Sequence, residues 1–412
     1  MIERLKDLAN GRLGNWAEAS FRHRKHTLSR ILSNARLYRG GAAFALSGAT
    51  LALAAGHRVA ARSSSLRLHG RVVAVVAGGG PVGPRFAGNK GRAVGATLVE
   101  PRALALDGQG DIFIADNLGA SPSSRACQVE EVNSRTKRIR VLVHTGLGLR
   151  GYGGIVVRSR TTLIVSDDGR GRVVAIGVRD KRSRVLAGGG RAGRLGDGER
   201  GRVATLYGPS GLAVGKRGEI LIADTDHNRI RRIDSHGIIT TVAGDGIAGF
   251  KGDGSKATRA ELRLPLGVSF DKDGNIYIAD EGNNRIREVI ARSGTIVTVA
   301  GGGACRQAYC GEGGSPALAK ISSPQAVAVD SKGDVFIAAS ARVLEIPSGA
   351  RIVRTIAGDG TLPLTLTDAR HQLLMLPAAK AELDPVGLAV NEAGTVLVVD
   401  AATRTIREVR QR

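Results

Sequence analysis

Beyond residue 69 the chain alternates short apolar stretches with turn residues, in a pattern that recurs several times. One unit of this pattern contains four stretches rich in β-branched and other apolar residues, at 267–270, 275–279, 285–289 and 296–300. Such runs are typical of strands, and Asp273-Gly274 predicts a tight hairpin between the first two. We therefore expect each unit to fold into four short antiparallel strands.

Related units fill the rest of this region, at residues 101–146, 154–188, 209–244, 265–301, 324–358 and 385–412. Repeated four-stranded units of this length predict the blades of a β-propeller. The last unit has three predicted strands, and Arg71–Gly80 has the sequence expected of the missing fourth strand. Pairing this N-terminal strand with the last unit would close the ring and remove two exposed edges. The sequence thus predicts an all-β, six-bladed propeller of four-stranded antiparallel blades, closed by strand 71–80.

The N-terminal region differs from the repeats. Residues 1–39 are basic, and Gly40–His57 then runs without a charged Asp, Glu, Lys or Arg side chain. A basic leader before a short apolar segment is typical of an export signal, although this segment is short for a spanning helix. We therefore divide the chain into a basic segment (1–39), a signal peptide or membrane anchor (40–57), a linker (58–68) and the propeller (69–412). The propeller is expected outside the cytoplasm, membrane-anchored or secreted; a cytoplasmic protein with an ordinary helix at 40–57 is the alternative.

Two segments resemble the signature of NHL repeats: Ile222–Asp234, IADTDHNRIRRID, and Ile278–Val289, IADEGNNRIREV. The long segments Gly244–Pro265 and Gly301–Pro324 are similar to the inter-blade linkers of bacterial and teneurin-type NHL domains. The resemblance implies a six-bladed β-propeller over roughly residues 70–412. NHL domains act as protein-binding, RNA-binding and sensor modules and occasionally as lyases, so the resemblance leaves the function open.

The direction of the strands puts the turns between strands two and three on the same side as the long inter-blade linkers, and we call this side the linker face. Five aspartates end second strands there, and three arginines each follow such an aspartate by five residues. The candidate binding residues of this face are Asp116, Asp167, Arg172, Asp224, His227, Asn228, Arg229, Asp280, Asn283, Asn284, Arg285 and Asp400. They would form an ion or cationic-ligand site, or they would pin one hairpin in each blade; the repetition favours the structural role.

No catalytic residue, metal ligand or cofactor is predicted. The histidines share no short ligand spacing, and no GxSxG nucleophile elbow occurs. A divalent-metal-dependent propeller lyase or lactonase stays an alternative, because ligands from separate blades can meet in the central channel.

The composition adds a second alternative. Lys and Arg number 60 against 37 Asp and Glu, for a net charge of +23, which favours contact with anionic surfaces. Basic linker residues could bind RNA or another anionic polymer, and the candidates are Arg191, Arg194, Lys251, Lys256 and Arg259. Only 3% of residues are aromatic, however, and single-stranded nucleic acid is bound largely by aromatic stacking. Nucleic acid is therefore not the expected partner.

The shortage of aromatic residues also means that aliphatic side chains must fill the core. We expect five of them to lie between blades: Ile114, Leu221, Ile276, Ile278 and Ile337. Cys305 and Cys310 can close a small disulfide loop outside the cytoplasm or remain two free thiols inside it.

The interpretation favoured by these observations is a monomeric, non-catalytic interaction module that binds an unknown protein or envelope polymer through its linker face. Residues 40–57 would hold it at the membrane if they are not cleaved.

Overall fold

Six antiparallel sheets, each one blade, make up the propeller unit Leu66–Arg412. The computed structural model describes residues 71–80, 90–118, 127–143, 153–190, 193, 195–304, 309–362 and 376–411. The predicted leader segments 1–39 and 40–57 and the linker 58–68 lie outside the described residues.

Apolar runs of the repeats form the strands, and the turns and linkers between them hold several short 3-10 helices. In chain order the strands are β1 (Arg71–Gly78), β2 (Pro101–Leu106), β3 (Ile112–Asn117), β4 (Cys127–Val132), β5 (Ile139–Val143), β6 (Ile155–Ser159), β7 (Thr162–Asp167), β8 (Arg172–Gly177), β9 (Ser183–Gly188), β10 (Pro209–Val214), β11 (Ile220–Asp224), β12 (Arg229–Ile233), β13 (Ile239–Ala243), β14 (Pro265–Phe270), β15 (Ile276–Asp280), β16 (Arg285–Ile290), β17 (Thr295–Gly301), β18 (Tyr309–Cys310), β19 (Lys320–Ile321), β20 (Ala326–Val329), β21 (Val335–Ala339), β22 (Arg342–Ile346), β23 (Arg354–Ala357), β24 (Leu376–Pro377), β25 (Pro385–Val390), β26 (Val396–Asp400) and β27 (Thr405–Gln411). The 3-10 helices are Asp168–Arg170, Gly201–Val203, Thr225–His227, Ala257–Arg259, Glu281–Asn283, Pro316–Leu318 and Ala378–Lys380.

Each of the first five blades contains four consecutive long strands. Blades one to five are β2–β5, β6–β9, β10–β13, β14–β17 and β20–β23. The short strands β18 and β19 pair within the linker between blades four and five. These boundaries confirm the four-stranded blades that the sequence predicts.

The N-terminal strand completes blade six. The sheet order is β24-β1-β27-β26-β25, and β1 runs antiparallel to β27 from Arg71 opposite Gln411 to Gly78 opposite Thr405. The predicted ring closure is thereby confirmed. Strand β24, from the last linker, pairs with the outer side of β1, and the sequence did not predict this strand.

The apolar core lies between the blades. Leu221, Ile276 and Ile278 meet in one cluster between blades three and four, Ile114 packs against blade six, and Ile337 packs against blade four. All five side chains predicted to lie between blades are buried. Aliphatic packing across neighbouring blades therefore holds the ring together.

The innermost strands enclose a central cavity of about 700 Å³. Neighbouring first strands approach each other at small residues: a Cβ added to Gly211 would lie 2.3 Å from the Leu266 carbonyl oxygen, and one added to Gly267 would lie 2.8 Å from the Cα of Ala326. Larger side chains at these positions would force the blades apart.

We predict that Ile278→Ala lowers the free energy of unfolding by about 2–5 kcal/mol, because it leaves a cavity between two blades. Chemical denaturation measures this loss. Ile247→Ala is the matched control, since Ile247 is an exposed linker isoleucine, and it should change stability by less than about 0.5 kcal/mol. Equal losses in the two variants would contradict the assignment of Ile278 to the inter-blade core.

Candidate functional site

On the linker face, the aspartates at the ends of second strands hold the backbone of the preceding linker. The backbone N–H of Tyr207 donates to Asp224 Oδ1 at 2.8 Å, and that of Arg263 donates to Asp280 Oδ1 at 2.8 Å. Asp400 accepts the N–H of Asp384 in the same way, at 3.1 Å. These carboxylates are buried, so the predicted ring of acids forms internal anchors for the linkers.

A buried arginine neutralises this aspartate in blades three, four and six. Arg231 Nη1 lies 3.2 Å from Asp224 Oδ2, Arg287 Nη1 lies 3.4 Å from Asp280 Oδ2, and Arg407 Nη2 lies 2.7 Å from Asp400 Oδ2. Sequence reasoning missed these arginines because it paired each aspartate with the arginine five residues later. The cross-strand diagonal brings the later arginine to the carboxylate instead.

The arginines that open third strands have a different role in two of three blades. Arg172 Nη2 does bind Asp167, at 2.6 Å. Arg229 donates to the carbonyl oxygens of His227 and Asp245, and Arg285 donates to that of Asn283 at 2.8 Å. The contact expected to hold the hairpin between strands two and three is thus an aspartate–arginine pair in blade two. In blades three and four the arginine binds backbone carbonyl oxygens instead.

The turn residues among the candidates also bind within the chain. His227 Nδ1 lies 2.9 Å from Asp224 Oδ2, and Asn283 Nδ2 donates to Asp280 Oδ2 at 2.8 Å. Asn228 Oδ1 accepts the N–H of Leu264, and Asn284 Oδ1 accepts that of Ser323, both from the following linker. The two asparagines adopt positive φ, which Asn tolerates better than most residues.

Blade five shows how the contact survives without the aspartate. Ala339 occupies the aspartate position, as the sequence indicates, and the hydroxyl of Ser340 accepts the N–H of Ser322 at 2.9 Å. The same hydroxyl donates to the Ser322 carbonyl oxygen at 3.1 Å. A serine therefore replaces the carboxylate as linker anchor.

Blade one carries an acid where blades three, four and six carry the arginine. Glu130 faces Ile114 across β3–β4, the register position of Arg231 in blade three, and it is buried beside Asp116. Gln128 donates to Glu130 Oε1, and the carboxyl groups of Glu130 and Asp116 lie within reach of a side-chain hydrogen bond to each other.

The acidic pair changes the titration of both groups. Burial raises the pKa of Asp116 to about 6, against the lowering effect of the N–H groups of Val99 and Glu100. Burial and the nearby Asp116 charge raise the pKa of Glu130 well above its ordinary value. We conclude that the pair retains a proton under conditions in which isolated carboxyls would be ionised.

Large apolar side chains are exposed on the linkers. Among the described residues, Tyr207, Ile247, Phe250 and Leu318 are 62%, 61%, 54% and 76% exposed. The guanidinium of Arg285 lies over the Phe250 ring, 4.3 Å from its centroid. These side chains come from three successive linkers, those before blades three, four and five.

The basic linker candidates are also exposed where they are described. Lys251 Nζ lies 3.4 Å from Glu261, and Lys256 Nζ donates to the Ser293 carbonyl oxygen at 2.8 Å. Arg259 lies at the end of a linker 3-10 helix. Arg191 and Arg194 lie outside the described residues.

The mouth of the central cavity is polar at the linker face, where first strands begin and second strands end. The polar lining residues there are Glu100, Arg102, Asn117, Asp168, Ser210 and Gln325. Arg102 and Glu100 form an ion pair. The deeper wall consists mainly of aliphatic residues such as Leu104, Leu212 and Val327.

Three further predictions concern metal ligands, a membrane-spanning helix and a disulfide. No group of three or more His, Cys, Asp or Glu side chains within the described ranges could hold a metal ion. No helix among the described residues is long and apolar enough to cross a membrane, and residues 40–57 are outside that set. Cys305 is also outside it, so the Cys305–Cys310 disulfide stays a prediction.

Comparison with known sequences identifies the repeat. Residues 187–249 match the model of the teneurin NHL domain, and residues 262–288 match the model of the NHL repeat. Teneurin-4 from Homo sapiens is 38% identical over 97 residues, covering 20% of this chain and 4% of that protein. NHL repeat-containing protein 2 from Gallus gallus is 32% identical over 152 residues, covering 34% and 20%. The matched region is thus a small part of each relative.

Solved structures share the fold at low identity. An auxiliary nutrient binding protein from Bacteroides ovatus has a TM-score of 0.58 at 13% identity, covering 83% of this chain and 77% of that one. A gluconolactonase from Xanthomonas campestris has a TM-score of 0.50 at 14% identity, covering 76% and 87%. Likeness at this level concerns the fold alone.

We predict that Glu130→Gln stabilises the protein at pH 8 by about 1–3 kcal/mol and has little effect near pH 4. As the pH rises above the ordinary carboxyl pKa, the unfolded chain releases protons that the folded pair keeps, so the folded protein loses stability. Glutamine imitates the protonated acid and removes this loss. Denaturant midpoints across the pH range measure the difference.

The matched control for this experiment is Glu131→Gln, because Glu131 is the neighbouring buried acid and has an arginine partner, Arg140 Nη2, at 2.5 Å. It should give no stabilisation that grows with pH. A Glu130→Gln variant that loses stability equally at pH 4 and pH 8 would contradict the shared-proton interpretation.

Proposed function

Because this chain is a six-bladed β-propeller built from NHL repeats, we propose that it is a non-catalytic interaction module that binds a protein partner through its linker face. The exposed apolar side chains of the linkers carry this proposal. Within the described residues, every large hydrophobic side chain that is exposed lies in an inter-blade linker. The aspartates of the same face are buried and internally bonded, so they support the surface and the linkers make the contacts.

The linkers are held in place before any partner arrives. Asp224 and Asp280 fix the linkers that precede their blades, while Asn228 and Asn284 fix those that follow. A surface that is already ordered loses little conformational entropy on binding. The exposed aromatic rings of Tyr207 and Phe250 supply rigid apolar contact area, which is typical of interface hot spots.

The lyase or lactonase hypothesis stays an alternative. The gluconolactonase likeness concerns the fold alone, and no observation on the described residues favours a catalytic site over a binding surface. Dialysis against Mg²⁺, Ca²⁺ and Mn²⁺ followed by metal analysis tests it: one tightly held ion per chain would favour the enzyme.

We further propose that residues 40–57 export or anchor the chain, so that the linker face meets its partner outside the cytoplasm. The basic segment 1–39 before an uncharged stretch supports this placement.

We predict that a photo-cross-linking residue placed at position 250 or 318 captures a discrete partner in the native cells. The same residue at exposed position 272 or 332, in turns at the opposite end of the strands, should capture none. Affinity for the captured partner should fall about tenfold or more in Phe250→Ser, because a buried aromatic contact is lost. Adducts of equal yield from both faces, or none from positions 250 and 318, would contradict the proposal.

Protease added to the same intact cells locates the module. Digestion of the propeller without lysis would support export. Protection until the cells are broken would place the chain in the cytoplasm and make RNA the next partner to test.

A further inference from the structure

The turns between strands one and two and between strands three and four lie at the end of each sheet opposite the second-strand aspartates. In blades one, three, four and five the preceding linker also binds the backbone of the strand three–four turn. In blade two these turns, with the adjoining strand ends, carry a cluster of exposed basic side chains that we call the blade-two patch: Arg158, Arg160, Arg179, Lys181, Arg182 and Arg184. Ser159 pairs with Thr162 and Ile176 with Ser183, so both hairpin tips project at this end of the blade. One blade thus presents six cations at two adjacent turns.

The patch is not neutralised by the protein itself. Among the described residues, no carboxylate lies within ion-pair distance of any of its six cationic groups, although Asp180 lies in the same turn. The pKa of Lys181 is lowered by partial burial and by the nearby positive charge of Arg140, against the effect of Glu131. All six side chains of the patch are exposed, and Lys181 lies near both Arg140 and Glu131 of blade one.

Neighbouring blades extend the same charge. Arg158 Nη2 reaches the turn of blade three, where it would lie 3.9 Å from a Cβ at Gly218. That turn adds exposed Lys216 and Arg217, and the last turn of blade one adds exposed Arg135, Lys137 and Arg138.

The other three blades are different at this end of the sheets. The corresponding turns of blades four to six carry four basic residues, Lys272, Arg292, Lys332 and Arg351. They also carry five acids, Asp271, Asp273, Asp330, Asp334 and Glu392. The turns of blades one to three also carry five acids, Asp107, Asp111, Asp180, Glu219 and Asp234, but they carry eleven basic residues. The excess of positive charge therefore lies in blades one to three.

We infer that the blade-two patch is a contact surface for an anionic lipid bilayer. The cations lie at the tips of hairpins on one end of a ring of blades, which suits a flat, negatively charged surface better than a groove. Lys and Arg side chains near such a surface each strengthen binding by about fivefold. The blade-two patch shares no residue with the exposed apolar side chains of the linkers, so the two surfaces would bind different partners.

The residue types argue against two other occupants. The turns 133–138, 158–162, 178–184 and 215–219 contain no Phe, Tyr or Trp, so they offer no platform for stacking bases. The same turns contain no Leu, Ile or Met, and their Val178 packs against the core between blades one and two, so they offer no exposed apolar side chain to insert between lipids. Binding should therefore be electrostatic, reversible and sensitive to salt.

The experiment compares three full-length proteins for sedimentation with vesicles of phosphatidylglycerol and phosphatidylcholine: the natural chain, a patch variant and a matched variant. The patch variant carries Arg158→Gln, Arg160→Gln, Arg179→Gln and Arg182→Gln. The matched variant carries Lys272→Gln, Arg292→Gln, Lys332→Gln and Arg351→Gln, which removes the same charge from the turns of the other three blades. All three proteins contain the same residues 1–70, so any difference in their affinity for the vesicles comes from the propeller.

We expect the patch variant to lose several hundred-fold in affinity at low salt, from four charges at about fivefold each, and the matched variant to lose much less. Equal affinity in all three proteins would overturn the inference, as would equal losses in the two variants. Tighter, patch-dependent binding to polyuridylate than to the vesicles would overturn the lipid assignment in favour of RNA. Unchanged melting midpoints in both variants establish that the eight exposed substitutions leave the fold intact.

Discussion

The pairing of β1 with β27 is the interaction on which the rest of the propeller depends. It gives blade six its fourth strand and covers an edge that would otherwise be open. It also completes both interfaces of that blade, because Val73 joins the cluster with blade five and Ala77 joins the cluster with blade one. The strand that comes first in the propeller therefore fixes the position of its last blade against two neighbours.

Within the closed ring, the linker face separates support from contact. Buried carboxylates, and Ser340 in blade five, bind linker N–H groups, while the aromatic and aliphatic tips of the linkers point to solvent. The buried anchoring contacts recur from blade to blade, whereas the exposed side chains differ from linker to linker. A scaffold of this kind can keep its fold while its partner changes, which is why fold and function separate in such families.

The repeats predicted the architecture well because every blade repeats the same strand pattern and turn residues. The N-terminal strand also matches the strand that is missing from the last unit. The repeats predicted Ile278 between blades because period-two alternation assigns a face to each residue. The role of Arg231 was missed, since spacing along the chain does not distinguish a direct cross-strand partner from a diagonal one. Glu130 was missed because the insertion in blade one separates it further from Asp116, so only the strand register aligns it with Arg231. The burial of the aspartates could not be predicted either, because it depends on where the linkers lie in the folded protein.

Hydrogen–deuterium exchange of the β1 amides tests ring closure most directly. Strand β1 pairs with β27 from Arg71 to Gly78, so the β1 amides that point toward β27 should exchange as slowly as those of β26 and β27. Exchange of β1 at the rate of an unpaired segment, with blades one to five still protected, would contradict the closed six-bladed ring.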